Sequence, residues 1–448
     1  MTNAGDFVPH TPEDVASMLS TLGLRSVDDL FEVIPAELRD PDIDLPAALS
    51  EPELVAHVGE LAARNVGAGS GLNFLGGGLY DHYVPAAVRA LMSRGEFATA
   101  YTPYQAEASQ GTLQALFEFQ TMVAELLGLA VSNASLYDGG TALVEAVNLA
   151  AMRREAKRVL VAPGVNPRYR RVLETYADGL GVLVEMLPET DLGTEAAAIA
   201  EAARDEYVLA VVVQQPNTYG FLEDASDIAE AASEAGAVVI GVADPMTLGV
   251  VAPPGEWGAE IALAEGQALG NPMALGGQCV GLFACDEHFA RYMPGRLVGE
   301  TVDAEGRRGY VLTLQAREQH IKREKAGSNI CTNQTLFALA VAFHLAWLGP
   351  LGLRKVGELS GALAHAAAEA IERDTPFRLA SQRPFVREFA LRGPKPADEV
   401  VSELRHRGVW VGPTAAEQSD VFNVAFTERR TDADIDALVE ALREVGKS

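Results

Sequence analysis

The chain has 448 residues, 48% of them hydrophobic and 22% charged, and its formal net charge is −27. This much apolar material can bury a sizeable core, so the composition argues against disorder and predicts two or three folded units. The negative charge provides no general attraction for nucleic-acid phosphates or anionic lipid. No window is apolar enough to span a bilayer, and the first residues lack a secretion signal. We therefore expect no nucleic-acid or membrane partner and a cytoplasmic location.

The cysteines provide no structural framework. Cys279, Cys285 and Cys331 form an odd and widely spaced set, which predicts neither a disulfide scaffold nor a paired metal-ligand motif. We expect these thiols to be incidental, and we expect no metal site.

Residues 1–95 carry helix-start signals and little β-strand pattern. Residues 11–14 and 50–53 each place a capping residue before proline and acidic residues, as at the first turn of a helix. The glycine-rich stretch 67–85 is typical of a loop or crossing segment. The sequence therefore predicts an N-terminal helical arm over 1–95.

Residues 96–330 alternate between apolar strands and helices. The strand-like runs begin at Val159, Val182, Val208, Ala237, Ala259 and Cys279. Helical stretches lie between the first five runs. Continuous apolar strands separated by helices indicate a mostly parallel sheet that is covered on both faces. This pattern predicts a large, doubly wound α/β domain.

Residues 331–448 have a different pattern. A long helical segment from Gln334 to about Arg373 is followed by three short strand-like runs and a final helix from Asp432. Helices with a few separated strands are typical of a smaller α+β domain. The chain is thus predicted to be α/β, with an N-terminal arm and a small C-terminal domain.

Candidate ligand-binding residues follow the predicted strands, because ligands of open parallel sheets bind at the carboxyl ends of the strands. Asp244 follows one strand and could pair with the pyridinium nitrogen of a pyridoxal phosphate cofactor, although an Asp before Pro is more commonly a turn residue. Asp138, Gly139, Gly140 and Thr141 precede an apolar helix. Such a turn can bind phosphate through its amides, or be an ordinary helix cap.

A polar and aromatic cluster lies in residues 99–112. Its candidate site residues are Tyr101, Thr102, Tyr104, Gln105, Ser109 and Gln110. Aromatic and amide side chains together favour interfaces and ligand pockets. The alternative is an exposed lead-in to a helix.

Residues 317–334 concentrate cations in an otherwise acidic chain. Arg317, Lys322, Arg323 and Lys325 precede a polar loop. The candidate site residues here are Arg323, Lys325, Ser328, Asn329, Thr332 and Asn333. A solvated helix face is the commonest fate of such a run, so both interpretations stay open.

Together these motifs resemble the glycine decarboxylase family. Matching stretches include YDHYVP from Tyr80, EFATAYTPYQAEASQGTLQALFEFQTM from Glu96, NASLYDGGTAL from Asn133, VADPMTLG from Val242 and MPGRLVGETVDAEGRRGYVLTLQAREQHIKREKAGSNICTNQ from Met293. The resemblance runs from about residue 6 to the C-terminus. It implies the fold type I architecture of pyridoxal-phosphate enzymes, and the chain has the size and motifs of the N-terminal half only, like the first subunit of the two-subunit form.

The lysine inventory points to a partner-dependent role. A pyridoxal-phosphate enzyme needs a lysine amine for its Schiff base, and none of the six lysines follows a strand near the end of the large domain. The position that matches the family's lysine is Gln267, whose amide nitrogen is not nucleophilic. We therefore expect no covalently bound cofactor on this chain.

The resemblance implies an oxidoreductase role, glycine dehydrogenase (aminomethyl-transferring), within a heteromeric enzyme. A lysine-bearing second subunit would hold the pyridoxal phosphate, in a complex that is expected to be α2β2. Glycine would be decarboxylated with release of CO2, and the aminomethyl group would pass to the lipoylated H-protein of the glycine cleavage system. A regulatory or scaffolding pseudoenzyme and an autonomous pyridoxal-phosphate enzyme are the alternatives, and the missing lysine weighs against the second.

Overall fold

The structure is a computed structural model that describes residues 9–39, 41, 44–67, 71–204, 207–274, 279–415 and 418–447. The chain divides into two compact units, Met1–Val66 and Gly67–Ser448. The predicted domain boundaries at residues 95 and 330 both fall within the second unit and stay a prediction.

The first unit consists of short helices: α1 (Pro12–Leu22), α2 (Glu51–Ala62), and 3-10 helices at Val27–Phe31 and Ala36–Leu38. The two predicted helix starts are confirmed. The Thr11 hydroxyl accepts a hydrogen bond from the Asp14 amide, and the Asp14 carboxylate accepts one from the Thr11 amide. Such reciprocal capping satisfies amides that lack partners in the first turn. No described residue of these four helices is buried.

The second unit contains all of the described strands. Its helices are α3 (Ala86–Met92), α4 (Gly95–Ala98), α5 (Gln110–Leu127), α6 (Gly139–Ala151), α7 (Pro167–Leu180), α8 (Ala196–Ala202), α9 (Ala225–Glu234), α10 (Gln319–Lys322), α11 (Thr335–Asp374), α12 (Ala397–His406) and α13 (Asp432–Val445). Short 3-10 helices lie at Ala106–Ala108, Pro254–Trp257, Glu287–Tyr292, Gln315–Arg317 and Arg323–Lys325. The strands are β1 (Leu72–Asn73), β2 (Val131–Ser132), β3 (Arg158–Val161), β4 (Leu183–Met186), β5 (Val208–Gln215), β6 (Val238–Ala243), β7 (Ile261–Glu265), β8 (Gly281–Cys285), β9 (Leu297–Val302), β10 (Arg308–Thr313), β11 (Arg378–Leu379), β12 (Glu388–Arg392), β13 (Val409–Trp410) and β14 (Val421–Ala425).

A seven-stranded sheet forms the centre of the second unit, in the order β2-β8-β7-β6-β5-β3-β4. Strands β3 to β7 pair in parallel, whereas β8 and β2 are antiparallel. All six strand-like runs of the sequence are present, so the predicted mostly parallel sheet is confirmed. Strand β2 was not predicted, because two residues give too short a pattern.

Helices cover both faces of this sheet. Ile240 packs in one core cluster with residues of α6 and α7, whereas Val239 packs in another with residues of α8 and α9. Neighbouring residues of a strand point to opposite faces, so both faces are buried. Residues of α5 and α11 pack on Ala262 and Leu282 in a third cluster. The central strands β5 to β8 are therefore mainly apolar and buried, which is why the sequence showed continuous runs.

The C-terminal residues form a separate small sheet, β11-β12-β14, which is antiparallel. Its core cluster includes Phe389, Phe422 and residues of α11, α12 and α13. The stretch 67–85, predicted as a loop, contributes β1, which pairs in parallel with β13. The paired residues Leu72 and Val409 lie 337 residues apart along the chain. Local sequence therefore cannot reveal this pairing.

Helix α11 changes direction at Gly349, where φ is 61°. By length and composition it is the one helix, among the described residues, that could cross a membrane. The expectation that no segment is so apolar is therefore wrong for this helix. Part of its apolarity has a structural cause, because Ala338, Leu339 and Val341 lie fully buried in a core cluster with residues of the central sheet, although only 39% of the apolar window is buried.

Candidate functional site

The carboxyl ends of β5, β6 and β7 converge on a small cavity, as the topology of an open parallel sheet predicts. Its lining includes Asp244 after β6, Glu265 at the end of β7, and Tyr80, Arg387 and Glu388 from outside the sheet. The room for water-sized molecules is about 30 Å³, which is enough for one or two waters. The candidate cofactor pocket is thus nearly filled by the chain's own side chains.

The Asp244 carboxylate forms an ion pair with an arginine. Its Oδ2 accepts a hydrogen bond of 2.8 Å from Arg387 Nε and a second one from Arg387 Nη2. The guanidinium carbon of Arg387 lies 3.5 Å from the centre of the Tyr80 ring, close enough for a cation–π interaction. The Tyr80 hydroxyl donates in turn to Glu388. The carboxylate that could pair with a pyridinium nitrogen therefore pairs with a buried guanidinium instead.

Glu265 occupies the N-terminus of α6. Its Oε2 accepts from the Gly139 amide at 3.1 Å, and its Oε1 accepts from the amides of Gln267 and Val280 at 3.0 and 2.9 Å. Burial raises the pKa of Glu265 to about 7, although the three backbone donors favour the ionised form. A helix N-terminus is where a phosphate would bind, and here a carboxylate fills that position.

The predicted turn at residues 138–141 is a helix cap. Asp138 Oδ1 accepts from the Thr141 amide at 2.7 Å, so these two residues satisfy the first turn of α6. Gly139 is tightly packed, because an added Cβ would lie 2.4 Å from the Tyr169 hydroxyl oxygen. Gly140 is buried in the same turn. The turn has little room for a ligand oxygen between Gly139 and Tyr169.

Gln267, the residue predicted to stand at the position of the family's lysine, has both polar atoms of its side chain in structural contacts. Its Oε1 accepts from the Tyr80 amide at 3.1 Å and its Nε2 donates to the Asn271 carbonyl at 2.7 Å. The side chain is 3% exposed. The Gln267 amide therefore links the segment at Tyr80 to the loop after β7.

These residues do not fit pyridoxal phosphate. Ligand pockets of this kind usually have volumes of about 300 Å³ or more, ten times the free room. The phosphate position holds the Glu265 carboxylate, the Asp244 carboxylate is paired, and no lysine is among the described residues that line the cavity. Among the described residues there is also no His, Cys, Asp and Glu cluster suited to a metal ion.

Glu265 lies at the end of a predicted strand, where ligand-binding groups are expected, but Tyr80, Arg387 and Glu388 were missed as pocket residues by the sequence analysis. A signal existed for Arg387 and Glu388, since they are adjacent charges at the start of a mainly apolar strand, and buried charges are expected to be paired. The structure pairs Arg387 with Asp244 across 143 residues of sequence. Nothing local could have indicated that partner.

A second cluster is built around Arg296, which is 3% exposed. Its Nη1 donates to the hydroxyls of Thr102 and Thr332, both at 3.1 Å. Its Nη2 donates to the Tyr104 hydroxyl at 3.3 Å and to the Cys331 carbonyl at 3.0 Å. One buried cation therefore brings together two segments that the sequence analysis singled out separately, although Arg296 itself was not named.

Other predicted residues of the two segments lie around this cluster. Asn333 is buried and donates to the Ala134 carbonyl. Tyr101 and Tyr104 are 84% and 61% exposed, and Gln105 is exposed while Ser109 is half-buried. Exposed tyrosines beside a buried arginine form a surface suited to contact with another chain. We call the surface formed by Tyr101, Thr102, Tyr104 and Thr332 the Arg296 surface.

Gln110 lies apart from this surface. Its side chain donates to the Tyr310 carbonyl at 2.8 Å and accepts from the Tyr310 amide at 2.9 Å. Gln110 therefore joins the start of α5 to β10. Its side chain makes the same two backbone hydrogen bonds that a neighbouring strand would make.

The remaining predicted residues line two other cavities. Lys325 and Ser328 line one, of about 520 Å³, between α6 and the segment 317–330. Arg323, Ser328 and Asn329 line another, of about 720 Å³, beside α7. The structure therefore divides the predicted wall into the Arg296 surface and this cationic segment.

Comparisons with known proteins agree with this architecture. The family model of the glycine cleavage system P-protein matches residues 5–442. A protein of Nitratidesulfovibrio vulgaris named probable glycine dehydrogenase (decarboxylating) subunit 1 is 48% identical over 440 residues, covering 97% of this chain and 99% of the relative. A protein of the same name from Rhodospirillum rubrum is 48% identical over 449 residues, covering 98% of this chain and 99% of the relative.

Solved structures give the same result. The crystal structure of an inhibitor-bound glycine decarboxylase (P-protein) of the glycine cleavage system has a TM-score of 0.90 and 47% identity, covering 98% of this chain and 99% of that one. Lactobacillus brevis glutamate decarboxylase shares the fold at a TM-score of 0.68 and 13% identity, covering 91% of this chain and 96% of that one. The predicted fold type I architecture is confirmed. The chain belongs to the glycine cleavage system P-protein family.

Proposed function

We propose that this chain completes an active site whose pyridoxal phosphate is held by a lysine-bearing partner subunit. The chain works as a subunit of glycine decarboxylase, the P-protein of a glycine cleavage system. The cavity at the strand ends, which is filled by Glu265, Arg387 and Gln267, shows why a partner is needed, and the observation that carries the assignment to the partner's active site is the Arg296 surface. A chain that retains the fold but not the pocket needs another chain for its chemistry.

The Arg296 surface is the part of this chain that we assign to the partner's active site. Arg296 fixes the Thr102, Tyr104 and Thr332 hydroxyls by hydrogen bonds, so these groups need little reorganisation to bind a substrate. Tyr101, Gln105, Ser109 and Asn333 belong to the same wall. Lys325, Arg323, Ser328 and Asn329 extend it with cations and polar groups, which suit an anionic substrate such as glycine carboxylate.

The partner assignment follows from the same reasoning. Two homologous halves can form the large interface of a fold type I dimer, and doubling would give α2β2. Glycine would be decarboxylated on the partner's cofactor, which serves as an electron sink, and the lipoyl arm of the H-protein would accept the aminomethyl group. The reaction has no need of a membrane, so we place the complex in the cytoplasm.

A scaffolding pseudoenzyme is the second candidate. The closed pocket fits that function equally well. The Arg296 surface favours the first candidate, because five described acceptors converge on one buried guanidinium beneath exposed tyrosines. A surface that only holds a partner in place would gain more from apolar packing than from polar groups.

Co-expression with the lysine-bearing subunit tests the proposal. We expect one complex in sedimentation, and glycine-dependent CO2 exchange by the complex but by neither chain alone. Separate chains at micromolar concentration would contradict the assembly. Equal exchange by the partner alone would contradict the claim that this chain completes the site.

A further inference from the structure

Four cations converge on the cavity of about 520 Å³ between α6 and the segment 317–330. They are Arg291, Arg317, Lys322 and Lys325, and Glu318 is the one acidic residue among the described residues of the lining. The chain as a whole carries 62 acids against 35 Lys and Arg residues. A local excess of positive charge in so acidic a chain calls for a physical explanation.

These four cations have no ion pair among the described residues, whereas some other cations of the chain do. Arg158 pairs with Glu185, and Arg354 pairs with Glu358. In contrast, Arg317 donates a hydrogen bond from its Nη1 to the Met293 carbonyl. Coulomb repulsion between neighbouring like charges would normally move such side chains apart or select acidic neighbours.

Arg317 is the most unusual member. Its Nε and Nη2 touch neither solvent nor any hydrogen-bond acceptor in the described structure. Burial lowers the pKa of this guanidinium, opposed by the neighbouring Glu318. A desolvated guanidinium with two donors that lack acceptors is costly, and an anion in the adjoining cavity would offset part of that cost.

The lining also contains neutral polar side chains, of which the Asn148 amide donates to the Gly327 carbonyl at 2.7 Å. Asn148 and Ser328 lie beside the cations, and Tyr292 forms an aromatic wall. The guanidinium carbon of Arg153 lies 5.5 Å from the centre of the Tyr292 ring. Arg153 therefore adds a fifth positive charge near the cavity. The size of the cavity is that of a small-molecule site.

From this arrangement we propose that the cavity binds an oxyanion, either a carboxylate or a phosphate. Lys322 and Lys325 make the direct contacts, because their flexible stems can reach into the cavity. Arg291 and Arg317 supply the positive potential from its walls. The anion is either a free small molecule or a carboxylate of the partner subunit. The site goes beyond the proposed function, although Lys325 and Ser328 are shared with the proposed wall.

Titration of the purified full chain with inorganic phosphate tests the site without partner, cofactor or turnover, so its outcome is independent of the proposed function. We expect saturable binding at one site by calorimetry in a Tris buffer. Lys322→Gln should weaken it by at least about tenfold, since a charge-assisted contact is lost. Arg317→Gln should also weaken it, by at least about threefold, because positive potential is removed from the wall of the cavity. Arg354→Gln, which removes an exposed cation outside the cavity, is the matched control and should leave the affinity unchanged.

A variant that gains affinity guards against misfolding as an explanation. Glu318→Gln removes the acid of the lining and should tighten phosphate binding by roughly threefold or more, because one repulsive charge disappears. Absence of saturable binding, or equal weakening by Arg354→Gln, would overturn the proposal.

Repeating the titration on the complex with the lysine-bearing subunit identifies the source of the anion. Unchanged phosphate binding supports a free small molecule. Binding that is lost on assembly, with phosphate in turn weakening the complex, supports a carboxylate of the partner. If phosphate binding is lost on assembly but phosphate does not weaken the complex, the two do not compete for one site. That result would overturn the assignment of a partner carboxylate.

Discussion

The buried carboxyl of Glu265 makes a quantitative prediction about pH and stability. Its pKa is raised from its ordinary value of 4.5 to about 7, with burial as the largest cause. Between these two values the folded chain holds a proton that the unfolded chain releases. Because the folded state binds more protons, this group lowers the stability as pH rises through that window.

The magnitude follows from the same pKa values. A tenfold change in proton affinity corresponds to about 1.4 kcal/mol, so ionisation of Glu265 should cost about 2.5 kcal/mol between about pH 5 and about pH 8. Glu265→Gln abolishes this cost but carries a constant penalty. Its single amide oxygen cannot serve both sites that the two carboxylate oxygens serve at Gly139 and Val280, and a lost buried acceptor costs about 1 to 3 kcal/mol.

Urea unfolding of the wild-type chain and the variant at both pH values measures the effect. We expect the free energy of unfolding of the wild type, minus that of Glu265→Gln, to fall by about 2.5 kcal/mol as pH rises. Glu125→Gln, on the exposed side of α5, controls for removing one carboxylate. A difference that does not change with pH would refute the assignment of a buried, proton-holding Glu265 at the N-terminus of α6.

Two further predictions concern the closed pocket and the Arg296 surface. Gln267→Lys should not produce a borohydride-trappable pyridoxal phosphate adduct in the isolated chain, because Glu265 and Arg387 still fill the cavity. Mass spectrometry of the reduced chain checks this. A stoichiometric adduct at position 267 would contradict the conclusion that the cavity does not fit pyridoxal phosphate. Arg296→Gln should lower the free energy of unfolding by about 1.5 to 3 kcal/mol through lost charged hydrogen bonds, and the assembled complex should lose glycine turnover by more than its remaining folded fraction explains.

The central sheet could be predicted from sequence because its strands are buried on both faces. Each of the runs beginning at Val208 and Ala237 is a continuous apolar stretch bounded by helices, and β5 and β6 are buried along most of their length. The strand ends then locate the cavity by topology alone. The absence of a lysine after β7 could likewise be read directly from the residue types.

The contents of the cavity could not be predicted, since they depend on contacts between distant residues. Gly139 meets Glu265 across 126 residues and Tyr80 meets Glu388 across 308. The same limit applies to Arg296, whose acceptors lie up to 194 residues away. Composition marked the segments 99–112 and 317–334 as unusual, but only the fold shows that a single arginine joins parts of both.

The central claim is that this chain contributes side chains to an active site whose cofactor belongs to its partner. Tyr101 offers the most direct test, because it is 84% exposed and its loss should leave the fold intact. Tyr207 is a matched control, since it is 89% exposed and precedes β5 at the edge of the sheet opposite the strand ends.

Glycine-dependent CO2 exchange should be measured on complexes assembled with Tyr101→Ala combined with Tyr104→Phe, and with Tyr207→Ala. We predict that the first complex assembles and retains pyridoxal phosphate but loses at least about tenfold in exchange rate, in line with the loss of positioned polar groups, while the control keeps its full rate. Wild-type exchange by the Tyr101 and Tyr104 variant would contradict the claim and leave this chain as a scaffold.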